Sequence, residues 1–383
     1  MKNTRKLTRK IVALFMAIAM IPPISALAIE ANETQVANSA LAQVTALYSD
    51  VYVISDTSAV VLDQESDGNG NTVYIVETSF KRTLKETDAT KIPAIQGMIR
   101  EMEQLEDPAA IQAAQEYIAA RVADMNNNYI GVAQDTNVTL RVTLPTIAPF
   151  TTSTAQLVTS STIEVECGLG EEEYGPLIGI APRSAAVQLA AGREIVAEVA
   201  AEKSGMSLMS VNDTPHNAKM LNYNRVAARN YAREWSCDLG IAYDHATCHN
   251  PSYSFFEDED CTNFVSQCMV AGGLTTDNTW YPYSPAWNTT GNSGNGIRQY
   301  IVNNDMFFQT TNVNKAFAGS IINQLNSSGG NAGHVGLIDQ NDFYTVTFCA
   351  HTNCRSSKPV SFITYKDYYV PYYDYHGGVW VEP

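Results

Sequence analysis

Two features in the second half of the chain could do covalent chemistry. The first is Asp260-Cys261-Thr262-Asn263-Phe264-Val265-Ser266-Gln267-Cys268, whose residue types predict a short helix. Asp260 suits the N-cap, Phe264, Val265, Cys268 and Met269 supply a buried face, and Gly272-Gly273 ends the helix. Cys261 then falls in the first turn, where unpaired backbone N–H groups and the helix dipole favour the thiolate, the form that attacks a carbonyl carbon. A buried or disulfide-bonded structural Cys fits that helix equally well. The second feature is a pair of strand-borne histidines. Gly333-His334-Val335-Gly336-Leu337-Ile338 opens an apolar strand with a His, and a strand over 343–351 runs into His351-Thr352-Asn353. Nucleophilic catalysis by a thiol needs a Cys that can ionise, a His that takes its proton and a polar group that orients the His. The two features together satisfy that requirement.

The elements that must position these groups are legible around them. A helix is predicted over 221–235 and another over 260–271. A long Asn-, Gly- and Tyr-rich stretch follows, then four short strands over 320–325, 334–339, 343–351 and 360–365. Earlier in the chain, Val36, Ala40, Leu41, Val44, Leu47 and Tyr48 recur at helical spacing within 33–48. Residues 51–62 and 73–84 read as strands around the turn Asp67-Gly68-Asn69-Gly70-Asn71. Asp107-Pro108 opens a helix whose apolar stripe is Ile111, Ala114, Tyr117, Ile118, Val122 and Met125, and 138–144 is a strand ending at Pro145. Residues 29–145 therefore read as a separate small α+β domain. Residues 146–162 have a linker composition of Thr, Ser, Ala and Pro. The whole of 146–215 is set apart as linker and helical segment, and 216–383 as the second domain.

With those motifs in view, the second domain resembles a known family. Tyr223-Asn224-Arg225, Ala227-Ala228 and Tyr231-Ala232 are similar to the opening of the putative amidase domain of secreted Gram-positive proteins. The Cys261 helix is similar to its signature helix, and Gly333-His334-Val335 and His351-Thr352-Asn353 to its later motifs. The resemblance covers about residues 219–365. It implies an α+β fold with a papain-like, NlpC-like C-terminal domain, a catalytic helix packed on an antiparallel sheet, and hydrolysis of amide bonds such as those of cell-wall peptides. It implies Cys261 as nucleophile, His334 as base and His351 as orienter, with Asn353 as second choice. By analogy with NlpC-type enzymes, Tyr253 would join the backbone N–H of Cys261 in an oxyanion hole. The implied partner is a peptide or peptidoglycan-derived amide, with no cofactor. The rival reading is a wall-binding module that keeps the fold without turnover. A transferase would share the nucleophile and differ only in acceptor.

Charge and compartment narrow the setting. The chain of 383 residues carries 24 Lys and Arg against 40 Asp and Glu. Its first 28 residues are basic, then apolar from Ile11 to Ile21, then Pro22-Pro23, with Ala26-Leu27-Ala28 offering small residues to a signal peptidase. Five basic residues lie in that leader, so the remainder has 19 basic against 40 acidic residues, a charge of −21. That charge argues against nucleic acid as a partner. The apolar run is short of the ~20 residues that span a bilayer, so no stable membrane insertion is expected and the chain reads as secreted.

Export permits disulfides, and seven Cys leave at least one unpaired within the chain. A Cys261 kept as a thiolate would be that one, with Cys237–Cys248 and Cys349–Cys354 as candidate bridges. Two metal sites are weighed and set aside. Asp63, Glu65, Asp67 and Gly68 match part of a calcium loop, but Tyr74 stands where its bidentate Glu belongs. Cys237, Asp244, His245, Cys248 and His249 match no closed zinc pattern.

Overall fold

The computed structural model describes residues 23–145, 162–166, 174–203, 219–220, 223–237, 248–256, 259–290, 296–304, 306–325, 331–351, 355–360 and 366–371. The fold is α+β, with two antiparallel sheets and several helices. Most of the segment read as an export leader lies outside the described residues, and α1 (Pro23–Tyr48) begins at its end. This helix buries Val36, Ala40, Val44 and Tyr48, as its spacing predicts.

Strands β1 (Tyr52–Ser66) and β2 (Asn71–Leu84) form a long antiparallel hairpin. Gly68 and Gly70 take φ of 76° and 83° in its turn, a region that costs a residue with a Cβ. Asp67 accepts hydrogen bonds from the N–H groups of Asn69 and Asn71 and from the Asn71 side chain. These donors hold its carboxyl below the usual range, and they make the partial calcium motif an ordinary hairpin turn. Helices α2 (Pro93–Met102) and α3 (Pro108–Asn128) follow, the latter capped by Asp107. Next come β3 (Gln134–Pro145), β4 (Thr162–Glu166), β5 (Tyr174–Pro176) and α4 (Ala185–Lys203).

The first sheet runs β1-β2-β3-β4-β5. Its last two strands come from the stretch that sequence pattern set apart as linker and helical segment. Helix α4 packs on α2 through two glycines: a Cβ at Gly97 would lie 2.2 Å from the Leu189 carbonyl oxygen, and one at Gly192 1.9 Å from that of Ala94. The described part of 162–203 thus belongs to the first unit.

The second unit contains α5 (Arg225–Trp235), α6 (Cys261–Ala271), α7 (Pro285–Asn288) and α8 (Ile297–Asn303). Its strands are β6 (Phe307–Thr310), β7 (Ile321–Leu325), β8 (Asn331–Asn341), β9 (Val346–Ala350), β10 (Arg355–Pro359) and β11 (Lys366–Pro371). They are ordered β10-β9-β8-β7-β11-β6. Of the fourth predicted strand, 360–365, only Val360 is among the described residues, directly after β10 ends at Pro359. Arg355-Ser356-Ser357-Lys358 has no β-forming residue. It becomes a strand because it pairs with β9 and because Glu166, Asp339 and Glu77 receive Arg355, Ser357 and Lys358.

The sheet of the second unit is apolar on both faces. Ile321, Val335, Leu337, Cys349 and Tyr369 face one core with Phe264 and Cys268 of α6. Ile322, Ile338, Phe348, Tyr368 and Val370 belong to the other core, together with Tyr52, Phe80 and Val138 of the first unit. The expectation of a separate N-terminal domain is therefore corrected: the two units share a core.

Buried charge crosses the same boundary. Arg82 on β2 pairs with Asp342 at 2.5 Å, and the Tyr52 hydroxyl donates to the same carboxylate. Lys358 meets Glu77 at 2.5 Å, Arg355 meets Glu166 at 2.7 Å and Arg225 meets Asp124 at 3.3 Å. The Arg121 guanidinium lies between the rings of Phe317 and Phe343, 4.0 and 4.3 Å from their centroids. Arg82→Met strands the Asp342 carboxylate in an apolar interior, and breaking such a pair from one side costs about 3 kcal/mol. Urea denaturation should show that loss in a single transition covering both units.

Candidate active site

Helix α6 carries the nucleophile candidate at its first residue, and every side chain from Cys261 to Met269 is buried. Asp260 occupies the N-cap position, but its side chain makes no capping bond, contrary to the sequence expectation. The carboxylate is drawn away. It accepts from the Phe256 N–H at 3.1 Å, from the Asn263 amide at 2.7 Å and from His351 Nδ1 at 2.6 Å. The Asn263 amide also donates to the Ser254 carbonyl at 2.8 Å, and Trp287 Nε1 donates to Asn263 Oδ1 at 2.7 Å. Ser266 joins the same web through the Trp287 carbonyl and Trp280 Nε1. The polar positions of α6 thus order the loops on either side of it, and the first-turn N–H groups receive no side chain from Asp260.

Cys261 Sγ lies 3.6 Å from the Gly333 carbonyl oxygen, and the Val335 N–H also bonds to it. The thiol is therefore held against the backbone on both sides of His334, at the start of β8. Gly333 has φ 93°, a conformation a residue with a Cβ would find strained. His334 is half-buried, with Nδ1 enclosed. Burial pushes the Cys261 thiol above its usual value; the Val335 and Thr262 hydrogen bonds pull it down, and the Asp260 carboxylate works against ionisation. Desolvation thus opposes the thiolate that a helix N-terminus favours.

His351 does not orient His334. Its Nδ1 is on Asp260, its Nε2 is 2.7 Å from the Trp235 carbonyl oxygen, and its ring stacks on Phe264 with centroids 4.0 Å apart. Strand β9 ends one residue before it and delivers it beneath the start of α6. Asn353 lies outside the described residues. Tyr253 stacks on Trp287 at 5.9 Å and packs, half-buried, against the core that contains Cys261. Sequence reasoning missed Asp260 as the hub of this web. The available signal was Asp260 three residues before Asn263, with two buried-type Trp downstream.

Cys237 and Cys248 form a disulfide with Cα atoms 5.5 Å apart, which removes both from any zinc site. Asp244 and His245 lie outside the described residues, and His249 stacks on Phe255. No cluster of three or more His, Cys, Asp or Glu among the described residues could hold a metal ion. The candidate Cys349–Cys354 bridge is corrected as well: Cys349 is a free thiol in the apolar layer near Cys268.

Comparison with known proteins adds a family level to this geometry. Residues 222–373 match the family model described as "Putative amidase domain". A segment of 100 residues, 26% of this chain, is 31% identical to the uncharacterized protein YjcM of Bacillus subtilis (strain 168). The match spans 23% of that relative's length. No solved structure matches.

Burial pushes Cys268 far above its ordinary value and Cys349 up to about 12. In the unfolded chain both thiols titrate near ~8.5. Their protonated forms therefore support the fold fully below that pH, and the support is lost as pH rises from ~8.5 toward the folded values. Urea unfolding at pH 7 and pH 10 should show the lower stability at pH 10. Alkylation of native protein should label Cys261 first, with Cys268 and Cys349 reacting only after denaturation.

Proposed function

We propose that this protein is an exported cysteine amidohydrolase whose natural substrates are peptide amides of the cell wall. The single observation that carries the reading is the seat of Cys261 Sγ, at the start of a buried helix and against the backbone on both sides of His334. The amidase-family match over residues 222–373 supports amide hydrolysis as the reaction class. In this reading the second domain has the papain-like, NlpC-like arrangement. His334 takes the Cys261 proton as Sγ attacks the carbonyl carbon. The Cys261 N–H and the Tyr253 hydroxyl receive the developing oxyanion. His334 then passes the proton to the leaving amine, leaving a thioester, and water, deprotonated by the same His, releases the acid and restores the thiol. Asn353 takes the orienting role, because both ring nitrogens of His351 are bound elsewhere.

A second reading, a wall-binding module without turnover, draws on the 5% exposure of Cys261. Digestion of purified sacculi followed by mass analysis separates the two. The enzyme produces fragments with a new amine and a new carboxylate, whereas the binding module releases nothing. Cys261→Ala should abolish release while leaving stability within about 1 kcal/mol, since the packing of α6 rests on Phe264 and Val265. His334→Ala should lower the rate by roughly 10²–10⁴-fold, the usual contribution of a general acid–base group. Hydrolysis retained by Cys261→Ala would end the cysteine mechanism.

A further inference from the structure

We propose that His351 is a positioning residue that acts on Cys261 through Asp260, cancelling the charge of that carboxylate and holding it off the first turn of α6. The inference deepens the cysteine-hydrolase reading and rests on it for its catalytic meaning. Its geometric basis is the environment of the ring. The groups 2.6 and 2.7 Å from its two nitrogens are a carboxylate and a backbone carbonyl, and both accept. A ring that satisfies both must donate twice, which only the imidazolium does. In that form Asp260 and His351, 1% and 2% exposed, make a buried ion pair next to the nucleophile. Phe264 covers one face of the ring and fixes its plane.

Two consequences follow for Cys261. A bare carboxylate on the preceding residue would oppose thiolate formation, and Asp260 is the charged group whose field reaches this thiol. A positive charge on His351, 2.6 Å away, offsets that field. An aspartate at this helix start would also ordinarily bond the N–H groups of the first turn. Drawn toward His351 and Asn263, it leaves those donors for an oxyanion. The other titratable groups around the start of α6 among the described residues include the exposed Glu259 and Tyr253 in the preceding loop, His334 on β8 and Cys349 on β9. Arg233 of α5 is paired with Asp339 of β8 at 2.5 Å. None of these contacts the Asp260 carboxylate.

The test measures the rate of Cys261 alkylation by iodoacetamide against pH, read on the Cys261 peptide by mass, in the full chain and its variants. His351→Gln should move the thiol titration up by about one pH unit, the direction a nearby uncompensated anion imposes. Asp260→Asn and the double variant Asp260→Asn/His351→Gln should both titrate close to the unmodified protein, because neither leaves a bare carboxylate. An unchanged titration in His351→Gln, or a double variant as shifted as His351→Gln, overturns the proposal. Should His351→Gln fail to fold, the imidazole ¹⁵N spectrum of the unmodified protein at pH 8 decides instead: two protonated ring nitrogens on His351 support the proposal, and one overturns it. A histidine that only packed would alter stability and leave the thiol titration in place. None of these readouts needs a substrate. Failure of the hydrolase reading would appear separately, as hydrolysis retained by Cys261→Ala.

Discussion

A β-sheet with apolar side chains on both faces must be covered twice, and the second sheet of this protein imposes that requirement on everything around it. Residues alternate along its strands, so Leu337 faces helix α6 while Ile338 faces the first unit, and Tyr369 and Tyr368 divide in the same way. One cover is a helix only 11 residues long, with its first nine side chains buried. The other is a whole α+β unit. The core that the N-terminal half shares with this sheet lies on the opposite side of the sheet from Cys261.

The polar groups trapped between the two units follow from that arrangement. A boundary covering so much sheet encloses Arg82, Asp342, Glu77 and Lys358, and each meets its charge partner from across the boundary. The web at the start of α6 obeys the same rule on a smaller scale. Asp260 cannot be buried alone, so His351, Asn263 and the Phe256 N–H converge on it. In converging, they tie together the end of β9, the loop before α6 and, through Asn263 and Trp287, the aromatic segment that follows.

What could be read in the sequence was what is local. Cys261 and His334 are legible because each sits in a short motif whose own residues specify the helix start or strand start that carries it. The hairpin at Asp67 and the α3 stripe are legible for the same reason. His351 was legible as a candidate but not in its contacts, since its partner Asp260 is 91 residues away and chain order alone suggested His334. The strand at 355–359 was hidden because its residues favour a loop, and only the acids opposite make it a strand. Arg121 lies inside the helical stripe of α3, and nothing local reveals that two phenylalanines from the second unit hold its guanidinium.

The long reach of the boundary contacts also bears on the time course of folding. Tyr52 meets Asp342 across 290 positions of chain, Arg82 meets it across 260, and Glu77 meets Lys358 across 281. Closing loops of that size precedes any reward from the contacts themselves, and topologies of this kind fold slowly. During synthesis the first unit emerges long before the strands that complete its core, so its apolar face has no cover until almost the entire chain is present.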